Sequence, residues 1–221
     1  MIEVFVVNCA TPASEQLWKE GYRLCSDEQK AKIDRLHTVE AKCQRITADL
    51  LQKWYLYHQS ACLGEQLTLS YKTRGKPYIE GNTGLHFNMS HSGEWVVLGS
   101  GKQELGIDIQ RISTWRERVV KRCCTSQEQE RLYAASKRDE LFFRYWTQKE
   151  SYSKYTGEGL SAELSKLLCK ENEIQDLRTG AVYHTACVRW REAYWMSICT
   201  KEETAYNIVE VTLQELLQRE G

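Results

Sequence analysis

The sequence predicts an α+β protein made of two similar α/β halves, a pseudo-twofold duplication in which each half sets a small, mostly antiparallel sheet on helices. Three observations lead there. A glycine-poor, helix-periodic stretch (14–63) precedes short alternating strands (85–110), and helical stretches (115–156) then precede a second set of strands (182–211). The segment Glu94-Trp95-Val96-Val97-Leu98-Gly99-Ser100 is echoed by Tyr194-Trp195-Met196-Ser197-Ile198-Cys199-Thr200. The 221 residues suffice for one large domain or two small ones with a real core. We place the halves at 1–104 and 105–221.

The elements follow in order. The apolar run Val4 to Val7 reads as a first strand, and without a basic segment before it, it is not a signal peptide. Ser26-Asp27-Glu28 opens a helix, with a capping hydroxyl followed by acidic residues in the first turn. Ala41, Ile46, Ala48, Leu50, Leu51, Trp54, Tyr55 and Leu56 carry the helical period onward. Leu85, Phe87 and Met89 alternate with His86, Asn88 and Ser90, giving a strand with one buried face. Trp95 to Leu98 forms the next strand after the turn at Gly93, and Leu105, Ile107 and Ile109 form a third after the turn around Gly101. These three strands are expected to make an antiparallel meander, with the first and third running the same way. Helices are expected near 115–124, 126–136 and 139–156, then strands near 182–190, 193–200 and 205–211 and a short final helix.

Composition excludes several classes. Lys plus Arg total 30 against 30 Asp plus Glu, with 42% hydrophobic and 27% charged residues, so neither disorder nor a strongly basic nucleic-acid binder fits. No apolar run reaches the roughly 18 residues of a transmembrane helix. The nine cysteines are odd in number and contain no CxxC, which argues against a disulfide framework or zinc site and for reduced, buried thiols in a cytoplasmic protein.

The meander carries chemistry at its edge. Ser90 and His91 end its first strand, Asp108 and Gln110 its third, two strand spacings or roughly 10 Å apart. Asp108 and Gln110 share a face because side chains repeat every second residue. Glu150 and Lys154, four apart, face the same way on a helix. The aromatic flank Phe142, Phe143 and Trp146 implies that this helix is packed, and charges on a packed helix need partners. A metal for Glu150 and a phosphate for Lys154 would supply them. Few carboxylates and no soft ligand cluster point to magnesium, which takes one or two carboxylates and completes its shell with phosphate and water. Arg74-Gly75-Lys76-Pro77 adds cations around a glycine that lets backbone approach a ligand. Lys30, Lys32 and Arg45 are weaker phosphate candidates.

Gly106-Ile107-Asp108-Ile109-Gln110 followed by Trp146-Thr147-Gln148-Lys149-Glu150-Ser151-Tyr152-Ser153-Lys154 resembles the paired signature of 4′-phosphopantetheinyl transferases. Arg74-Gly75-Lys76-Pro77 and Phe87-Asn88-Met89-Ser90-His91-Ser92 resemble two further motifs of that family, in the expected order. The length resembles the larger, surfactin-synthetase-activating type, a monomer with two similar halves. The resemblance implies that coenzyme A donates its 4′-phosphopantetheine arm to a serine of an apo acyl or peptidyl carrier protein, leaving adenosine 3′,5′-bisphosphate. It implies magnesium on Asp108 and Glu150, with Gln110 as a further oxygen ligand. It also implies phosphate binding by Lys154 and His91, Ser90 near the adenosine 3′-phosphate, and Gly75, Lys76 and Pro77 around the adenine and its ribose phosphate. Lys32 aligns loosely with a lysine on the 3′-phosphate. Glu150, or a metal-bound water, would be the base for the serine. Gln110 departs from the family, where Glu is common. It keeps an oxygen but removes a charge, so magnesium is expected to bind somewhat more weakly before coenzyme A arrives.

Two rivals remain: a catalytically retired module that binds coenzyme A or a carrier, and a hydrolase of the coenzyme A diphosphate. Arg116, Arg118, Lys121 and Arg122, beside Val119 and Val120, are a docking candidate for an acidic carrier; the alternative is an amphipathic helix packing its valines inward.

Overall fold

Ile2, Val4 and Val6 point to one side of the first strand, Phe5 and Val7 to the other, and all five are buried. This strand, β1 (Ile2–Asn8), therefore separates two cores. The structure, a computed structural model, describes residues 1–10, 14–71, 76–81, 83–159 and 163–218.

Helices α1 (Ser14–Leu24), α2 (Asp27–Asp34) and α3 (Val39–Leu63) follow. Ser26 caps α2 by accepting from the Gln29 amide, as its sequence predicts, and Thr38 caps α3 in the same way through Ala41. Gly64, at φ +70°, ends α3 in the left-handed region that a glycine enters without a Cβ penalty. Then come the short pair β2 (Leu69–Tyr71) and β3 (Pro77–Ile79) and the hairpin β4 (His86–Ser92) and β5 (Trp95–Gly101).

The second half repeats this order. A strand, β6 (Gly106–Arg111), leads into α4 (Glu117–Cys123), α5 (Ser126–Ala134) and α6 (Arg138–Thr156). Two short strands, β7 (Leu167–Cys169) and β8 (Glu173–Asp176), precede the hairpin β9 (Val182–Trp190) and β10 (Tyr194–Thr200). Strand β11 (Tyr206–Glu210) and α7 (Leu213–Leu217) close the chain. The sheets run β11-β1-β5-β4 and β6-β10-β9-β8-β7. β1 beside β5 and β6 beside β10 occupy equivalent places, so the duplicated α+β architecture is present, and the echoed segments are its two central strands.

The sheets share an inner core: Ile2, Val4, Val6 and Val97 meet Leu105, Ile107, Ile109, Met196 and Ile198. On the far side of the first sheet, Phe5, Phe87 and Leu98 pack on Ile46, Leu50, Leu51 and Tyr55 of α3. On the far side of the second, Cys169, Ile174 and Cys199 pack on Tyr145 and Tyr152 of α6.

The meander is corrected in one respect. β4 and β5 form the expected hairpin, but β6 leaves that sheet and pairs with β10. Crossing over puts Ile107 and Ile109 into the shared core, where they stay dry, a stronger pull than the short turn toward β5. β6 still runs beside β4 and in the same direction, joined by side chains instead of a ladder. Asn88 Oδ1 accepts from the Ile107 amide (3.2 Å) and Ser92 Oγ from the Arg111 amide (3.0 Å). This is why the polar face of β4 is also buried, against the expectation of one buried face.

All nine cysteines are free thiols, and seven are buried. Burial pushes Cys9, Cys43 and Cys124 up to about 12, which leaves them unreactive. Among the described residues no helix is long and apolar enough to cross a membrane.

Candidate active site at the seam of the two halves

Helix α6 carries nine consecutive motif residues, and most of them hold the helix in place. Thr147 donates to the Phe143 and Arg144 carbonyls, and Gln148 bridges the Lys170 carbonyl and Thr185 Oγ1 at 3.0 and 2.9 Å. Ser151 Oγ donates to Gln148 O and bonds Ser197 Oγ, and Tyr152 donates to Asp176 at 2.9 Å. Lys149 is 1% exposed and pairs with Glu128 (0%) at 2.5 Å, while donating to Cys123 O and Leu164 O. Glu128 in turn accepts from the Cys169 and Thr125 amides. With all of these bonds made, the buried charges are tolerated, and α5, α6 and β7 are locked together.

Glu150 and Lys154 are the two that turn toward β6. Gly106 sets their height. A Cβ there would overlap the Ser151 carbonyl oxygen and stand 2.5 Å from the Tyr155 nitrogen, so only glycine lets α6 lie this close to the strand. Lys154 Nζ thereby reaches Asp108 Oδ1 at 2.8 Å and Met89 O at 3.3 Å. Ser90 Oγ donates to the same Oδ1, also at 2.8 Å. The expected separation of roughly 10 Å between Ser90 and Asp108 is thus replaced by direct contact, because β6 abuts β4 with no strand between them.

Asp108 is 6% exposed, and its Oδ2 is buried without a hydrogen-bond partner among the described residues. Burial, and then repulsion from Asp108, raises the Glu150 carboxyl above the usual carboxylate range, against the opposing pull of Lys154. An orphaned carboxylate oxygen, with a second carboxylate near enough to feel its repulsion, is a set that a hard divalent cation would satisfy. Among the described residues no group of three or more His, Cys, Asp or Glu is placed to hold a metal ion, so Asp108 and Glu150 stand as a pair. Gln110 is half-buried two residues beyond Asp108 on the same face.

A cleft continues from this point over α3, lined by Gln29, Arg45, Asp49, Gln52, Pro77 and His91, with Ser90 at its inner end. Arg45 is braced by Gln29 Oε1 (3.2 and 2.8 Å). His91 reaches solvent at the cleft mouth. Crowding by the walls, then Lys154 and Arg45, holds its pKa below the ordinary value, against Asp108. The ring is accordingly neutral at pH 7 and retains an N–H to donate.

The structure therefore gathers Ser90, His91, Asp108, Lys154, Glu150, Arg45 and Pro77. Lys32, on α2 one turn from Gln29, is not among the cleft-lining residues and pairs with Glu28 at 2.6 Å. The Lys76 ammonium turns to Glu104 and Tyr155 O. Arg74 and Gly75 lie outside the described residues. Residues the motif reading passed over are Lys149 with Glu128, and the cleft walls Gln29, Asp49 and Gln52. The i, i+4, i+7 spacing of Arg45, Asp49 and Gln52 was the available signal for a shared helix face. Beside Gln110, Trp115, Val119, Phe142, Phe143 and Trp146 line an apolar groove rimmed by Arg116 and Arg118. Val120 is fully buried, while Arg116, Arg118, Lys121 and Arg122 are exposed, so α4 packs inward and still presents its cations.

A duplicated α+β fold with two carboxylates, a lysine, an arginine and a neutral histidine along one seam has the chemistry of a protein that handles a phosphate-bearing ligand. Comparison with known proteins specifies it further. Residues 104–208 match the model of the 4′-phosphopantetheinyl transferase superfamily, and residues 11–103 match that of the 4′-phosphopantetheinyl transferase N-terminal region. The chain is 29% identical to 4′-phosphopantetheinyl transferase psf-1 of Bacillus pumilus, over 88% of this chain and 87% of that one. It is 32% identical to the protein slr0495 of Synechocystis sp., over 82% of each. It is 28% identical to 4′-phosphopantetheinyl transferase Sfp of Bacillus subtilis, over 98% of this chain and 100% of that one. The chain belongs to the 4′-phosphopantetheinyl transferase family and is an enzyme of that kind.

Proposed function

We propose that this enzyme moves the 4′-phosphopantetheine arm of coenzyme A onto a serine hydroxyl of an apo acyl or peptidyl carrier protein, releasing adenosine 3′,5′-bisphosphate. The observation that carries this reading is Asp108, held by Ser90 and Lys154 on one oxygen, its other oxygen buried without a hydrogen-bond partner among the described residues and Glu150 close by. Asp108 and Glu150 would hold magnesium, with Gln110 as a neutral third oxygen. Bound there, the ion would neutralise charge developing on the diphosphate, usually the main term in phosphoryl-type transfer.

The chain's own residues do the rest. Lys154 binds the diphosphate from α6. His91 donates its neutral N–H to a phosphate, and Arg45 and Ser90 bind at the adenosine phosphate end. The Arg74–Pro77 segment holds the adenine. Glu150, or a water on the bound ion, would accept the proton of the incoming serine. Because the cleft walls come from residues 1–104 and the adjoining Asp108, Glu150 and Lys154 from 105–221, a single chain supplies the site, and the enzyme acts as a monomer. Its thiol chemistry suits the cytoplasm. The carrier docks on the groove beside Gln110, where the exposed arginines of α4 meet an acidic partner.

The test is incubation with coenzyme A, magnesium and a panel of apo carriers, read by intact-mass spectrometry. A gain of the phosphopantetheine mass on the carrier serine is expected. Binding without mass gain would make the protein a retired binding module, and free phosphopantetheine released without a carrier would make it a hydrolase.

A further inference from the structure

Lys76 sits in the basic segment that sequence assigns to the nucleotide, yet its charge is directed elsewhere. Its side chain is 10% exposed, and Nζ contacts Glu104 Oε1 while donating to the Tyr155 carbonyl at 3.2 Å. Glu104, from the turn between β5 and β6, uses its other oxygen to meet His86 Nδ1 at 2.9 Å. Tyr155 lies in the last turn of α6, where carbonyls lack helical partners and the helix dipole favours a cation. It directly follows Lys154, and its own nitrogen is one of the atoms pressed against Gly106. Lys76 thus caps the helix that carries Glu150 and Lys154, from a residue next to Pro77 in the cleft wall.

A phosphate seeking this ammonium would have to displace a carboxylate already in contact with it, and the Lys76 side chain is 10% exposed against 27% for Lys154, which is also paired but more accessible. We propose that Lys76 and Glu104 are positioning residues: their ion pair ties the nucleotide-holding segment to the C-terminal turn of α6, and Lys76 makes no direct phosphate contact. The pair fixes the distance between the adenosine end of the ligand, at Pro77, and the diphosphate end, at Lys154. This deepens the transferase reading and rests on it for the identity of the ligand.

The test compares coenzyme A with 3′-dephospho-coenzyme A. Dissociation constants are measured calorimetrically without carrier, and kcat and KM are measured with it, for the wild type, Lys76→Met, Lys76→Arg, Glu104→Gln and the Lys76→Met/Glu104→Gln double variant. Lys76→Met and Glu104→Gln should each weaken both nucleotides by the same factor, about tenfold. The double variant should be no worse than the poorer single one, since both remove one coupled pair. Lys76→Arg, which keeps the charge, should recover most of the loss. A Lys76→Met effect confined to coenzyme A would overturn the proposal, as would tighter coenzyme A binding by Glu104→Gln, because each would place the ammonium on the 3′-phosphate. Should Lys76→Met melt below the assay temperature, Glu104→Gln, at the more exposed position, carries the comparison. A wild type that binds both nucleotides but modifies no carrier would sink the transferase reading, while the dissociation constants would still decide the clamp.

Discussion

Ser90 donates to Asp108 at 2.8 Å across the line where the two halves meet, joining a hydroxyl of the first half to a carboxylate of the second. Lys154 completes the same oxygen, so the Asp108 rotamer is set before any ligand arrives. Only the second oxygen is left without a hydrogen-bond partner among the described residues. Such preorganisation is what lets a charged site act without rearranging during the reaction.

Glu150→Gln separates stability from activity. The folded-state pKa of Glu150 is raised, so its protonated form is favoured by folding. That stabilisation is complete below the ordinary carboxylate range and lost as pH rises through the elevated value. Ionised Glu150 therefore weakens the metal-free protein. As pH rises the variant should gain in melting temperature over the wild type, matching it only in acid, and it should lose transfer activity by at least about 100-fold. Thermal melts across pH, with chelator present, would check this.

Gly106→Ala should displace α6. The added methyl has backbone on its far side and no flexible side chain to push away. We expect a loss of about 1–3 kcal/mol in stability, and a fall in kcat larger than the melting shift accounts for. Denaturant titration alongside kinetics would separate the two effects.

Lys149→Met leaves the Glu128 carboxylate buried and uncompensated. The expected cost is about 3–5 kcal/mol. Lys149→Met/Glu128→Gln should be the more stable of the two variants, because it removes the stranded charge. Urea midpoints of both would show it.

Asp176 is held down to about 2 by the Arg178 hydrogen bonds, with further help from Tyr152. Its stabilising contribution is present above the unfolded value of 3.8 and disappears as pH falls through about 2. Asp176→Asn should cost roughly 2 kcal/mol at pH 7 and nothing near pH 2, as read by unfolding at each pH.

Arg118→Glu with Lys121→Glu reverses charge on the exposed side of α4. The KM for an acidic carrier should rise about tenfold while coenzyme A affinity stays the same. Steady-state kinetics with varied carrier would detect it.

Much of this was legible in the chain because periodicity is a local property. The capped helices, the hairpin of His86–Gly101 and the Glu150–Lys154 spacing all follow from patterns a few residues wide. The crossing of β6 into the second sheet was not legible, since a short turn between two strands resembles a hairpin whichever sheet receives the second strand. The partners of Lys149 and Lys76 were hidden for the same reason. Glu128 and Glu104 are distant in sequence, and a lysine inside a motif looks the same whether it meets a phosphate or a buried acid. β2, β3, β7 and β8, at three or four residues, are too short to show alternation.

β11 lies parallel to β1, with Val4 opposite Ile208 and Val6 opposite Glu210. The outermost place in the first sheet is therefore taken by a strand made long after its neighbour. Until β11 is made, β1 has a bare flank rich in valine and isoleucine, an invitation to pair with another nascent chain. Growing polypeptides of this enzyme should need shielding by chaperones on the ribosome, and versions cut short before residue 206 should precipitate.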